Sequence, residues 1–158
     1  MVRPLKEASM NVDGRTLVVV ADGRKARVFE EARLGGPLHE RAEWLAELPE
    51  FEQGGGTSPG RVFDRMGHAS HGVTSESPND KGEREFLVGL VGQLDRIVQK
   101  HGFDDLALIA PPRALGVLRE ALPKGLERKL KTSDPHDRVA ARAEEIAEAL
   151  HAARRKSA

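Results

Sequence analysis

The run Thr16-Leu17-Val18-Val19-Val20-Ala21 constrains the fold more than any other stretch of this 158-residue chain. It is apolar and β-branched at consecutive positions, without the alternation of a strand that shows one face to water. That pattern predicts a strand covered on both faces. Asp22-Gly23 follows at once and tolerates the positive φ angles of a tight hairpin, so residues 25–31 are expected to return antiparallel with Ala26 and Val28 on one face. Gly35-Gly36-Pro37 marks a second turn before a third strand over 38–44. The opening reads as a three-stranded antiparallel meander.

From 49 to 80 the composition changes to Gly, Ser, Pro, His and charges, which predicts a long loop. An insertion of roughly 30 residues without structure of its own is uncommon inside a domain and is more often functional than architectural. A helix is expected from about Asp80, with Glu83 completing a capping box, to His101-Gly102. Its apolar residues Phe86, Leu87, Leu90, Val91, Leu94, Ile97 and Val98 recur at i, i+3, i+4 and i+7, the spacing of one helical face. Residues 105–110 read as a buried parallel strand, 112–122 as a short helix and 126–130 as an alternating edge strand. Asp134-Pro135 then offers an N-cap and an N1 proline for a last helix with Val139, Ala143, Ile146, Ala147 and Leu150 on one face. The expected order is β-β-β, loop, α-β-α-β-α, an α/β class with helices packed on the sheet and no internal repeat. Residues 1–14 are expected as a flexible lead-in, 15–153 as a single domain and 154–158 as a frayed tail.

Composition narrows the function. Lys plus Arg and Asp plus Glu both number 25, so no global field draws in nucleic acid or an anionic membrane, and any such binding needs a local patch. Cysteine is absent, which excludes disulfides, thiolate metal sites and cysteine nucleophiles. The charged start Met1-Val2-Arg3-Pro4-Leu5-Lys6-Glu7 lacks a signal-peptide core, and no stretch approaches the ~20 apolar residues of a membrane span. A cytoplasmic protein is expected.

No complete catalytic set is visible. Gly54-Gly55-Gly56 is not followed by Lys-Ser/Thr in phosphate-loop spacing, and no G-x-G-x-x-G follows a strand. Asp64, His68 and His71 lie close in sequence and offer donors for a metal-dependent hydrolase, but their spacing is not that of a known helical zinc motif; solvated loop histidines are the simpler reading. Ser58, Ser70 and Ser75 have His neighbours without a G-x-S-x-G elbow. Neither a cofactor nor a metal is expected. Trp44 and the Phe residues read as core, since no exposed aromatic pattern accompanies them.

The segments Val19-Val20-Ala21-Asp22-Gly23-Arg24-Lys25-Ala26-Arg27, Gly60-Arg61-Val62-Phe63-Asp64 and Ala110-Pro111-Pro112-Arg113-Ala114-Leu115-Gly116-Val117-Leu118-Arg119 occur in this order. Together they resemble the bacterial host attachment protein family over roughly residues 15–150. That family is similar in turn to the middle domain of archaeal and eukaryotic class-I peptide-release factors and of pelota. The resemblance implies a ribonuclease-H-like fold: a three-stranded antiparallel meander extended by parallel strands. In the release factors a Gly-Gly-Gln tripeptide assists peptidyl-tRNA hydrolysis, whereas this chain reads Gln53-Gly54-Gly55-Gly56-Thr57. It also has Lys131-Thr132-Ser133-Asp134 where the family resemblance would suggest Lys-Asp-Leu-Thr-like residues. Ribonuclease chemistry would need several carboxylates around metals, a set that Asp22 and Asp105 alone do not make.

Two functions follow as expectations: a non-enzymatic module that binds RNA or the ribosome, or a host- or surface-attachment protein acting through protein contacts. For the first, Arg24, Arg61, Arg113 and Arg119 are the expected RNA- or anion-binding residues. Asp22, Gly60, Asp64, Pro111 and Pro112 are expected to shape or pin the loops around them. The same arginines also admit a plainer reading, as partners of surface carboxylates. Topology sharpens the expectation, because sites in open α/β sheets gather beyond the carboxyl ends of parallel strands. If strand 16–21 lies parallel beside 105–110, Asp22 and Arg24 reach the same edge as Pro111-Pro112-Arg113.

Overall fold

Every residue of Thr16–Ala21 (β1) is buried, and this strand is the centre of a five-stranded sheet. The computed structural model describes residues 14–49, 51 and 77–157; the rest of the expected lead-in and most of the expected long loop lie outside these. Ala26–Glu31 (β2) and Leu38–Glu40 (β3) complete an antiparallel meander on one side of β1. Asp105–Ile109 (β4) runs parallel to β1 on the other side, and Leu130–Asp134 (β5) runs parallel to β4. The sheet order is β3-β2-β1-β4-β5. With four helices, the described residues form a mixed α/β fold around an open sheet.

Alternation along β1 divides the core in two. Leu17, Val19 and Ala21 join Phe86, Leu87, Leu90, Leu94 and Val98 of Pro78–His101 (α1), Leu115 and Leu118 of Pro112–Ala121 (α2) and Leu126 of Lys124–Lys129 (α3). Val18 and Val20 face the other way, with Phe29, Ala107 and Ile109, onto Ile146 and Leu150 of Ala143–Ser157 (α4). A strand sandwiched in this way must be apolar at every position, which explains its sequence. Trp44 borders the first core, stacked on His101 with ring centroids 4.2 Å apart and edge-on to Phe103.

The elements depart from expectation at five places. The third strand stops at Glu40 and gives way to a 3-10 turn at Ala42–Leu45. α1 is capped by Ser77, whose Oγ accepts from Asp80 N at 3.0 Å, with Pro78 at the first helical position; the expected Asp80–Glu83 capping box therefore does not open the helix. The stretch expected as strand 126–130 is instead mostly α3, because Pro123 O accepts from Leu126 N and Glu127 N and starts a helical turn. β5 follows it, and Asp134 closes that strand instead of capping a helix. The last helix begins at Ala143, so Val139 packs on the second core from the preceding turn.

The helix also continues through Ser157, where a frayed tail was expected at 154–158. An ion pair holds it. Arg154 donates to both oxygens of fully buried Glu31, at 2.9 and 2.6 Å, and to Thr16 Oγ1 at 3.3 Å. Glu31 also accepts from Gly35 N at 3.0 Å.

The segment after the 3-10 turn crosses α1 where the helix lacks side chains. Leu48 lies 3.7 Å from where a Cβ on Gly89 would stand, and the Phe51 ring is 2.8 Å from the corresponding point on Gly82.

Two outcomes are expected from chemical denaturation of variants. Arg154→Ala strands the buried Glu31 carboxylate and should cost about 3–5 kcal/mol, whereas a change at exposed Arg155 should cost little. Gly82→Ala should destabilise by forcing Phe51 aside, while Gly92→Ala, which meets open space in the same helix, should stabilise by about 0.5–1 kcal/mol.

Candidate functional site

Parallel pairing of β1 with β4 puts Val20 opposite Ile109, so the residues after each strand emerge together at the carboxyl edge of the sheet. On the β1 side Asp22 builds the hairpin turn: its Oδ1 accepts from Arg24 N at 2.9 Å and Lys25 N at 2.8 Å, while its own N–H donates to Lys25 O at 3.1 Å. Gly23 adopts φ 101°, which a side chain would strain. On the β4 side Pro111 precedes α2 with no side-chain cap, Pro112 occupies its first turn, and Pro111 O accepts from Leu115 N at 2.8 Å. The start of a helix carries positive partial charge, and Arg113 adds a full one beside it.

The first turns of α1 join the two sides. Arg24 Nε lies 3.7 Å from Glu83 Oε2, and Arg113 Nη2 lies 3.2 Å from Asp80 Oδ1. Arg24 also covers the Phe51 ring, 4.9 Å from its centroid. The two arginine side chains remain 45% and 56% exposed, so these pairs are worth at most about 1 kcal/mol each and leave both guanidinium groups accessible.

Asp22, Arg24, Pro111, Pro112 and Arg113 therefore share one edge. Arg119 does not: it sits in the last turn of α2, six residues past Arg113, about 9 Å along the axis and about 240° around it. Gly60, Arg61 and Asp64 lie outside the described residues, as do His68 and His71. Among the described residues no group of three or more His, Asp or Glu side chains is placed to hold a metal ion. None of the described helices is long and apolar enough to cross a membrane.

One cluster at this edge went unread in the sequence. Asp134, 6% exposed, ends β5 with its carboxylate held by His136 Nδ1 at 2.6 Å and Arg138 Nε at 2.7 Å. Burial pushes this carboxyl up, but the hydrogen bonds from Arg138 and His136 outweigh it and hold the group below its ordinary range. The Asp-x-His-x-Arg spacing was visible, yet Asp134-Pro135 carries an equally clear helix-cap signal. The turn that follows is clamped from β2, where Arg27 donates to Val139 O at 2.8 Å and Ala141 O at 2.7 Å and pairs with Glu40 at 2.9 Å.

A family model described as "Protein required for attachment to host cells" matches residues 17–150. The chain belongs to this family. The matched span covers β1 from Leu17 onward, β2 to β5, α1 to α3 and the carboxyl edge described above. No curated protein matches the sequence.

The lowered Asp134 carboxyl sets a pH dependence. A carboxylate depressed on folding contributes stability above its unfolded value and loses it as pH falls through the folded one. Asp134→Asn should thus cost about 1–3 kcal/mol at neutral pH, and the deficit should shrink once pH drops below the ordinary value of 3.8. Urea midpoints of both proteins at neutral and acid pH would check this, and an unchanged deficit in acid would contradict the ionic account.

Proposed function

We propose that the chain is a binding module that serves host attachment through contacts made at the carboxyl edge of its parallel strands. The observation that carries this reading is the pair of accessible guanidinium groups, Arg24 and Arg113, held on the first turns of α1 beside the uncapped start of α2. Fixed cations next to helix N-termini favour an anionic partner. The family description supports the attachment role.

RNA or the ribosome is the second reading of that anionic partner. It is supported by the order of the sheet, an antiparallel meander extended by two parallel strands, which agrees with a ribonuclease-H-like fold akin to the release-factor middle domain. Peptide release is not part of the proposal, because Gln53-Gly54-Gly55-Gly56-Thr57 lacks the Gly-Gly-Gln order.

The decisive variant is Arg24→Ala with Arg113→Ala, which removes two exposed ion pairs and the cover of Arg24 over the Phe51 ring and should fold within about 2–3 kcal/mol of the parent. In a deletion strain it should fail to restore adhesion where the parent gene restores it. Full restoration would remove the edge from the attachment role. Co-sedimentation of the purified protein with ribosomes across a salt series tests the second reading, with binding strongest at low salt and weakened by the double substitution. Absence of binding at low salt would end it.

A further inference from the structure

Beyond β5 the chain holds one imidazole in a fixed orientation. Asp134 lies level with Ile109 on the α4 side of the sheet, and its main-chain oxygen accepts from Ala110 N at 3.1 Å and His136 N at 2.9 Å. The buried carboxylate is engaged at both oxygens, by His136 and by Arg138, so it has no freedom to rotate. An ionised carboxylate only accepts, so Nδ1 of His136 carries the proton and the lone pair resides on Nε2. The His136 side chain is 56% exposed, which leaves that lone pair within reach of a solute. Arg138 contacts Asp134 through Nε, and among the described residues its terminal nitrogens meet no partner. A nucleophilic nitrogen and a guanidinium thus stand side by side on one carboxylate.

We propose that His136 is a phosphoryl-acceptor site, taking the group on Nε2 from a small donor with a good leaving group, such as an acyl phosphate or a phosphoramidate. The Nε2 lone pair forms the N–P bond while the bond from phosphorus to the leaving group breaks, and the leaving group departs with the bonding electrons. The ring keeps its Nδ1 proton and becomes cationic, so no proton has to leave during the step. Asp134, 2.6 Å away, neutralises the new charge, the part an aspartate plays behind a catalytic histidine. The terminal nitrogens of Arg138 meet the phosphoryl oxygens, as guanidinium groups do wherever phosphate is recognised. Because Arg138 also draws on the carboxylate, the gain comes from the fixed tautomer and the charge balance more than from raised basicity.

A purely structural role, in which Asp134 only staples the turn, makes a different forecast. The full chain is treated with phosphoramidate, whose leaving group is ammonia, and labelling of each histidine is followed by mass spectrometry at neutral to alkaline pH. His39, exposed on β3 and without a carboxylate partner among the described residues, is the internal reference. His136 should label about tenfold faster than His39, a factor equivalent to one charge-assisted hydrogen bond. Asp134→Asn should bring its rate down to that of His39, and His136→Asn should abolish labelling there while the fold survives. Since Asp134→Asn also loosens the turn, the tautomer is read separately on the parent protein by proton–nitrogen correlation NMR, with the proton expected on Nδ1. A rate no faster than that of His39, or a proton on Nε2, overturns the proposal.

Discussion

β1 leaves no face for water, and the molecule is arranged around that fact. Six consecutive residues at most 1% exposed need cover on both sides and a partner at each edge. β2 and β4 supply the edges, α1 to α3 one cover and α4 the other. At about 25 cal/mol per Å² of apolar surface removed from water, such a strand dominates the local energetics, and the polar features are positioned by it. The carboxyl edge exists because β1 and β4 run the same way, not because the arginines attract one another.

That ordering explains why much of the architecture was legible in the residues. β1, α1 and β4 carry apolar patterns long enough to specify their type, and Asp22-Gly23 specifies the first turn by its own chemistry. Leu126 and Leu130 are four apart, a spacing that suits a helical face and an alternating strand alike; Pro123 decides for the helix by supplying the first accepting carbonyl. Lys131-Thr132-Ser133-Asp134 gives no apolar signal. Thr132 and Asp134 are nevertheless buried, because pairing with Ala107 and Ile109 carries them inward. Burial of this kind is a property of the neighbour and is not written locally.

The candidate edge shows the same division. Asp22, Arg24 and Arg113 came together in prospect because a single topological condition, parallel pairing of two strands, was enough to place them. Arg119 seemed equivalent by type and by helix, but the azimuth of a helical position depends on which face is buried. Here Ala114, Leu115 and Leu118 set that face. Asp134 was misassigned for a third reason: an aspartate before a proline is a good helix cap, and only its two side-chain partners reveal that its acceptor capacity is already used.

The Glu31–Arg154 pair joins residues 123 positions apart. During synthesis β1, β2 and α1 emerge long before Arg154, and domains tend to fold as units once their partners are available. Until that arginine leaves the ribosome, Glu31 has no cation to accompany it into the interior. Val18, Val20 and Phe29 likewise wait for Ile146 and Leu150. One half of the core is able to form early around α1, while the opposite face of the sheet stays open to chaperones or to aggregation until the last helix arrives. The nascent chain thus has a built-in order, set by how late Arg154 falls in it.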